Sequence, residues 1–234
     1  MKKKILGYVL GFCLLFSSLS AAEARSGSTI FGGKLLEEGE VAMTFGAGFP
    51  DVLYQFDFAN SKTFNLALKA RFNYSMGFSS YAVNGYVTAP LRIGIVQDSK
   101  LTFALKVEAG LFAGVLLDDT QGGNFSIGIP LEVGALFSLR VLDQLSVNFG
   151  VEIPMLLAIN TTGLNDITTF IFSLEAMGGV EYFLNENFSL YLQVAIGPQF
   201  FIGELGRLFN RNKDFSNVSV GASGRFTAGL IWRR

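Results

Sequence analysis

The chain of 234 residues has no histidine. Mechanisms in which an imidazole takes and returns a proton, alone or in a dyad or triad, are therefore closed to it. It has one cysteine, Cys13, inside an apolar N-terminal stretch expected to be removed on export. Disulfides and thiolate metal sites are not expected in the rest. Long hydrophobic runs are missing as well. A helix needs roughly 20 mainly apolar residues to cross a bilayer. The longest uncharged stretch, Phe72 to Leu91, is interrupted by Asn73, Ser75, Gly77, Ser79, Ser80, Asn84, Gly85 and Pro90. A second, Asn187 to Gly203, contains Gln193, Pro198 and Gln199. Charge of one sign is not in excess either: 18 Lys and Arg against 19 Asp and Glu leave a net −1, and nothing in that balance points to nucleic acid.

Half of the residues are nevertheless hydrophobic, 24 are phenylalanine, and the mean hydropathy is +0.42. Strict alternation reconciles these facts, because a strand that is apolar on one face carries only every second residue there. In "GGVEYFLNENFSLYLQV", Gly178 to Val194, Phe188, Leu190, Leu192 and Val194 alternate with Ser189, Tyr191 and Gln193 after the tight reversal "LNEN". The same period predicts ten strands, at about 39–49, 51–60, 63–75, 80–96, 100–116, 124–141, 144–159, 168–183, 187–202 and 216–232. Pro90, Pro130, Pro154 and Pro198 fall inside them, and each removes a ladder hydrogen bond. Bulges, or strand portions beyond the bilayer core, are expected at these positions. Should the proline segments be loops, the count falls to eight.

The links alternate in length. "NSK" (60–62), "QDSK" (97–100), "LDQ" (142–144) and "LNEN" (184–187) are tight, whereas 116–124, 160–168 and 203–216 are longer and more polar. "APLRIGI" (89–95) and "IPLEVGA" (129–135) repeat one another at a spacing of forty residues, one hairpin per repeat, which predicts an up-and-down meander. At the N-terminus, Lys2, Lys3 and Lys4 precede an apolar stretch from Ile5 to Phe16 and the small-x-small site Ala22-Glu23-Ala24. That is the pattern of a signal peptide. The expected organisation is a signal peptide at 1–24, a short periplasmic segment at 25–38, and one β-domain at 39–234.

Strand phase sorts the side chains. One face collects residues such as Phe45, Leu68, Leu105, Ile129, Val151, Leu192 and Phe226, and is apolar throughout. The other collects Glu40, Asp57, Lys69, Arg71, Arg92, Lys106, Glu108, Glu132, Arg140, Glu152, Glu175, Glu181 and Arg225 among Gly, Ser, Asn and Thr. A lipocalin-like soluble barrel would turn the apolar face inward, and a membrane barrel would turn it outward. Sparse charges and aromatics near strand ends (Tyr54, Phe64, Tyr74, Tyr81, Tyr182, Phe188, Phe200, Trp232) favour the second. The acids and bases then face a narrow lumen, where they are expected to pair across strands.

"GGVEYFLNENFSLYLQV" and the Pro-Leu-x-[Ile/Val]-Gly strands leading into tight turns resemble the small outer-membrane barrels of OmpA and OmpX type. The resemblance lies in pattern over most of the chain and departs from the family in the last strand, "GRFTAGLIWRR", which does not end on the usual aromatic residue: Arg233 and Arg234 trail Trp232, the residue left to supply the insertion signal. It implies a closed antiparallel transmembrane β-barrel in a bacterial outer membrane. Its partners would be the surrounding lipid and lipopolysaccharide, and the barrel-assembly machinery during insertion. The histidine-dependent chemistries of barrel proteases, phospholipases and lipid A acyl-modifying barrels do not carry over. Glu108 and Glu132, on neighbouring strands, are candidates for a carboxylate pair that does acid–base work, and pairing with Lys106, Arg140 or Arg92 is the plainer expectation. The glycines of "GAG" (46–48) and "VGASG" (220–224) lack the lysine-serine pair and helix of a phosphate loop and are expected to relieve crowding in strands. No catalytic, cofactor or metal site is expected. The expected function is a non-enzymatic structural or surface-interaction role with an occluded lumen, a narrow porin-like channel being the alternative.

Overall fold

The computed structural model describes residues 29–76, 80–97, 100–118, 122–161, 166–203 and 218–234. The expected signal peptide and most of the longest link lie outside them. The described residues form eleven strands: β1 (Ala42–Phe49), β2 (Asp51–Asn60), β3 (Phe64–Met76), β4 (Ser80–Gln97), β5 (Leu101–Asp118), β6 (Gly122–Leu142), β7 (Leu145–Thr161), β8 (Asp166–Ser173), β9 (Glu175–Phe183), β10 (Phe188–Gly203) and β11 (Val218–Arg233). Successive strands pair antiparallel, and β11 pairs with both β10 and β1, which closes the sheet. β8 and β9 are two halves of one stave. β7 meets β9 through Leu145–Glu152 and β8 through Met155–Thr161, and β10 meets the same two halves from the other side. The molecule is a closed ten-stave barrel.

The prolines behave differently from the expectation of bulges. Pro90 pairs with Glu108 on β5, but the β3–β4 ladder skips from Lys69↔Thr88 to Leu66↔Leu91. Pro130 pairs with Leu156, while the β5–β6 ladder skips from Ala109↔Leu131 to Phe112↔Gly128. Pro154 and Pro198 flank the β8/β9 interruption at Leu174 from opposite sides, and Leu174 N donates to Pro198 O at 3.1 Å. Register is unchanged across all four gaps. In an antiparallel strand a residue's N–H and C=O point to the same neighbour, so a proline loses bonds to one side only. The chain spans the gap without adding a residue.

Bulges occur instead between Asp57 and Ala59, Gly94 and Val96, and Arg140 and Leu142. Each lies just before a tight turn, where extra twist bends the stave. The phase slips there, so Ile95 and Val96 are both exposed, as are Val141 and Leu142.

Elsewhere the two faces separate cleanly. Phe45, Tyr54, Leu68, Val87, Leu105, Ile129, Val151, Val180, Leu192 and Phe226, one from each stave, are exposed on the outside. Asp57, Lys69, Arg92, Glu108, Glu132, Glu152, Glu175 and Glu181 are buried within. Leaving a large apolar side chain in water forgoes roughly 1.5–3 kcal/mol of burial, so a wall of them around every stave is stable only against lipid. The lipocalin-like alternative requires the opposite orientation. The fold is a transmembrane β-barrel. Stacked rings mark both ends of its outer face: Phe103, Phe137 and Phe149 on the tight-turn half (centroids 4.7 and 5.3 Å apart), and Phe172 with Phe200 (4.7 Å) on the other.

Candidate functional site

The barrel interior brings most of the expected charges into one layer halfway along the lumen. Cross-strand register places Glu108 directly opposite Glu132, and Glu152 directly opposite Glu175. Like charges in such positions are destabilising by themselves. A cation sits between the members of each pair. Lys106 Nζ contacts Glu132, lies 2.9 Å from Glu152 Oε1 and 3.4 Å from Glu108 Oε2. Arg225 Nη2 donates to Glu152 Oε2 at 2.8 Å and Glu175 Oε2 at 2.6 Å. Lys69 joins from β3 by an ion pair to Glu108, whose other oxygen accepts from Thr88 Oγ1 at 2.6 Å. An unbroken line of ion pairs thus runs from Lys69 on β3 through Glu108 and Lys106 on β5, with Glu132 on β6 beside it, to Glu152 on β7, Arg225 on β11 and Glu175 on β9. Buried charges persist only when compensated in this way.

Arg71, expected to share in the pairing, lies toward the long-link end of this layer. Its guanidinium stands 4.6 Å over the Tyr86 ring, and among the described residues no carboxylate lies within ion-pair distance of it. Arg140 is not in the layer at all. It lies at the end of β6, where it pairs with the exposed Asp143 of the following turn at 3.7 Å.

A second polar group occupies the tight-turn end. Asp57 accepts from Gln55 Nε2 at 3.0 Å and lies 3.9 Å from Arg92 Nη2. Glu181 pairs with Arg233, and both share Ser189: its hydroxyl donates to Glu181 Oε1 at 2.7 Å and accepts from Arg233 Nη1 at 2.7 Å. Arg233 was absent from the residues singled out by sequence, although its parity with Arg225 and Ile231 places it inward.

Sequence reasoning also gave no inward role to the segment before β1. Residues Thr29 to Leu36 lie inside the tight-turn mouth, folded into a loop by Thr29 N donating to Lys34 O at 3.1 Å. Ile30 and Leu36 join Ala42, Tyr191 and Ile231 in an apolar cluster, and the Phe31 ring lies 4.5 Å from that of Tyr191. Tyr191 fits because β1 and β11 carry glycine beside it: a Cβ on Gly46 would stand 1.8 Å from its hydroxyl. Between Phe31 and the charge layer a small cavity remains, lined by Leu53, Gln55, Arg71, Glu152 and Arg225 among others. No group of acidic, histidine or cysteine side chains suited to a metal ion occurs among the described residues.

No protein-family model and no curated protein sequence matches the chain. Among solved structures it is similar to the translocator domain of the autotransporter NalP from Neisseria meningitidis, at 10% identity and a TM-score of 0.46, covering 83% of this chain and 86% of that one. It is also similar to the outer membrane protease OmpT from Escherichia coli, at 8% identity and a TM-score of 0.38, covering 83% and 92%. At these values the likeness extends to neither individual residues nor activity.

Proposed function

We propose that the chain is a small non-enzymatic barrel of the bacterial outer membrane, of the OmpA and OmpX kind, whose lumen is closed to solutes and whose role is structural or surface-interacting. The line of ion pairs from Lys69 to Glu175 carries this reading. It uses the inward charges to hold staves together, and a selective pore more often presents charge of one sign to the passing ion. Glu108 and Glu132 share Lys106, so neither is a free base. Lipid and lipopolysaccharide surround the barrel in this account, and the assembly machinery inserts it. Liposome swelling tests the closure: vesicles holding the folded chain should swell in small sugars no faster than empty vesicles. Sustained sugar entry would favour the channel reading instead.

A further inference from the structure

The wall of the tight-turn mouth reads the backbone of the segment inside it. Gln97 accepts from Leu35 N at 2.9 Å and donates to Gly33 O at 2.7 Å. Asn65 treats Leu36 the same way, accepting from its N–H at 2.8 Å and donating to its carbonyl at 3.4 Å. Arg92 Nη1 donates to Thr29 O at 2.5 Å and Gly32 O at 3.3 Å, and Ser138 Oγ accepts from Gly33 N at 2.8 Å. Filling volume alone would need only apolar side chains. Partnering the main-chain groups of one segment with side chains from β3, β4 and β6 is how proteins recognise peptides.

The fit also selects sequence. A Cβ on Gly32 would stand 1.9 Å from Ser138 Oγ, and one on Gly33 would stand 2.5 Å from Thr102 O and 2.7 Å from Leu136 O. Those two oxygens belong to the wall backbone and do not move aside as a side-chain tip does. The occupant joins β1 through an exposed turn, Glu37 to Gly39, in which Gly39 has φ of 80° and Glu40 N donates to Glu37 O at 3.1 Å.

We propose that the tight-turn mouth is a binding site for a looped peptide with two adjacent glycines. In this chain its own residues 29–36 fill the site, and a free peptide of that sequence exchanges into it. The inference does not depend on whether the lumen conducts, and its readouts are not conductance.

Two measurements on the folded full chain test it. Thr29 Oγ1 and Ser138 Oγ lie 3.0 Å apart, so Thr29→Cys with Ser138→Cys, in a Cys13→Ser background, should form a disulfide under mild oxidation, reversed by reductant. Failure to cross-link would overturn the placement of the segment. In the second, a protease sequence inserted between Glu38 and Gly39 is cut after folding, and a fluorescent peptide of residues 25–38 is added. Saturable binding of one peptide per barrel is expected, with the Gly33→Val peptide weaker by about tenfold or more. Absence of exchange, or equal binding of the Gly33→Val peptide, would overturn the proposal.

Discussion

Glu181 of β9 and Arg233 of β11 form a buried ion pair across Ser189 of the stave between them, their side chains 0% and 4% exposed. The pair ties the last stave to the two before it at the level where β11 closes onto β1. Arg233→Leu leaves Glu181 buried without this partner and is expected to destabilise the barrel by about 3–5 kcal/mol where the site is dry. Glu181→Leu added to Arg233→Leu should recover most of that loss. Urea unfolding followed by fluorescence of the single tryptophan, Trp232, measures both. A loss under about 1 kcal/mol, the range of solvent-exposed pairs, would contradict the buried-pair account.

The central layer predicts an order. Among the described residues Lys106 pairs with three carboxylates, whereas Lys69 pairs with Glu108 alone. Lys106→Met should therefore cost more than Lys69→Met, the former about 3–5 kcal/mol, in the same urea titration. Equal or reversed costs would contradict the bridging role of Lys106.

Much of this was legible because alternation is a local property. β7, expected at 144–159, runs Leu145–Thr161, and the inward phase of Glu108, Glu132, Glu152 and Glu175 follows from period two alone. What escaped is non-local. Residues 29–36 have no strand period, and their place depends on Asn65, Gln97 and Ser138, which come together only when the sheet closes. Arg233 reads in sequence as a trailing charge because its partner lies on a stave two positions away. Phase puts Arg71 on the face of the other cations, yet phase fixes the face and not the height along the lumen; Arg71 sits over Tyr86.

The outward face sets a depth profile. Val133 lies beside the charge layer, and Leu142 lies at the tight-turn end of β6. Val133→Arg should cost about 2–4 kcal/mol and Leu142→Arg about 0–1 kcal/mol, as expected for the bilayer midplane and its edge. Unfolding from lipid vesicles gives both values. Similar costs at the two sites would contradict a lipid-facing belt centred on the charge layer.

Topology follows from the turns. A protease site at Asn185, in the tight turn between β9 and β10, should be protected on intact cells, and one at Asn165, outside the described residues, should be cut. Surface cleavage at Asn185 would invert the assignment of the barrel's two ends.

Planar-bilayer conductance tests the closed, ion-paired lumen most directly. The wild-type chain should show no steady open level. Arg225→Ala, which removes the cation between Glu152 and Glu175, should introduce intermittent cation-selective openings. A large, steady wild-type conductance unchanged by Arg225→Ala would contradict the account.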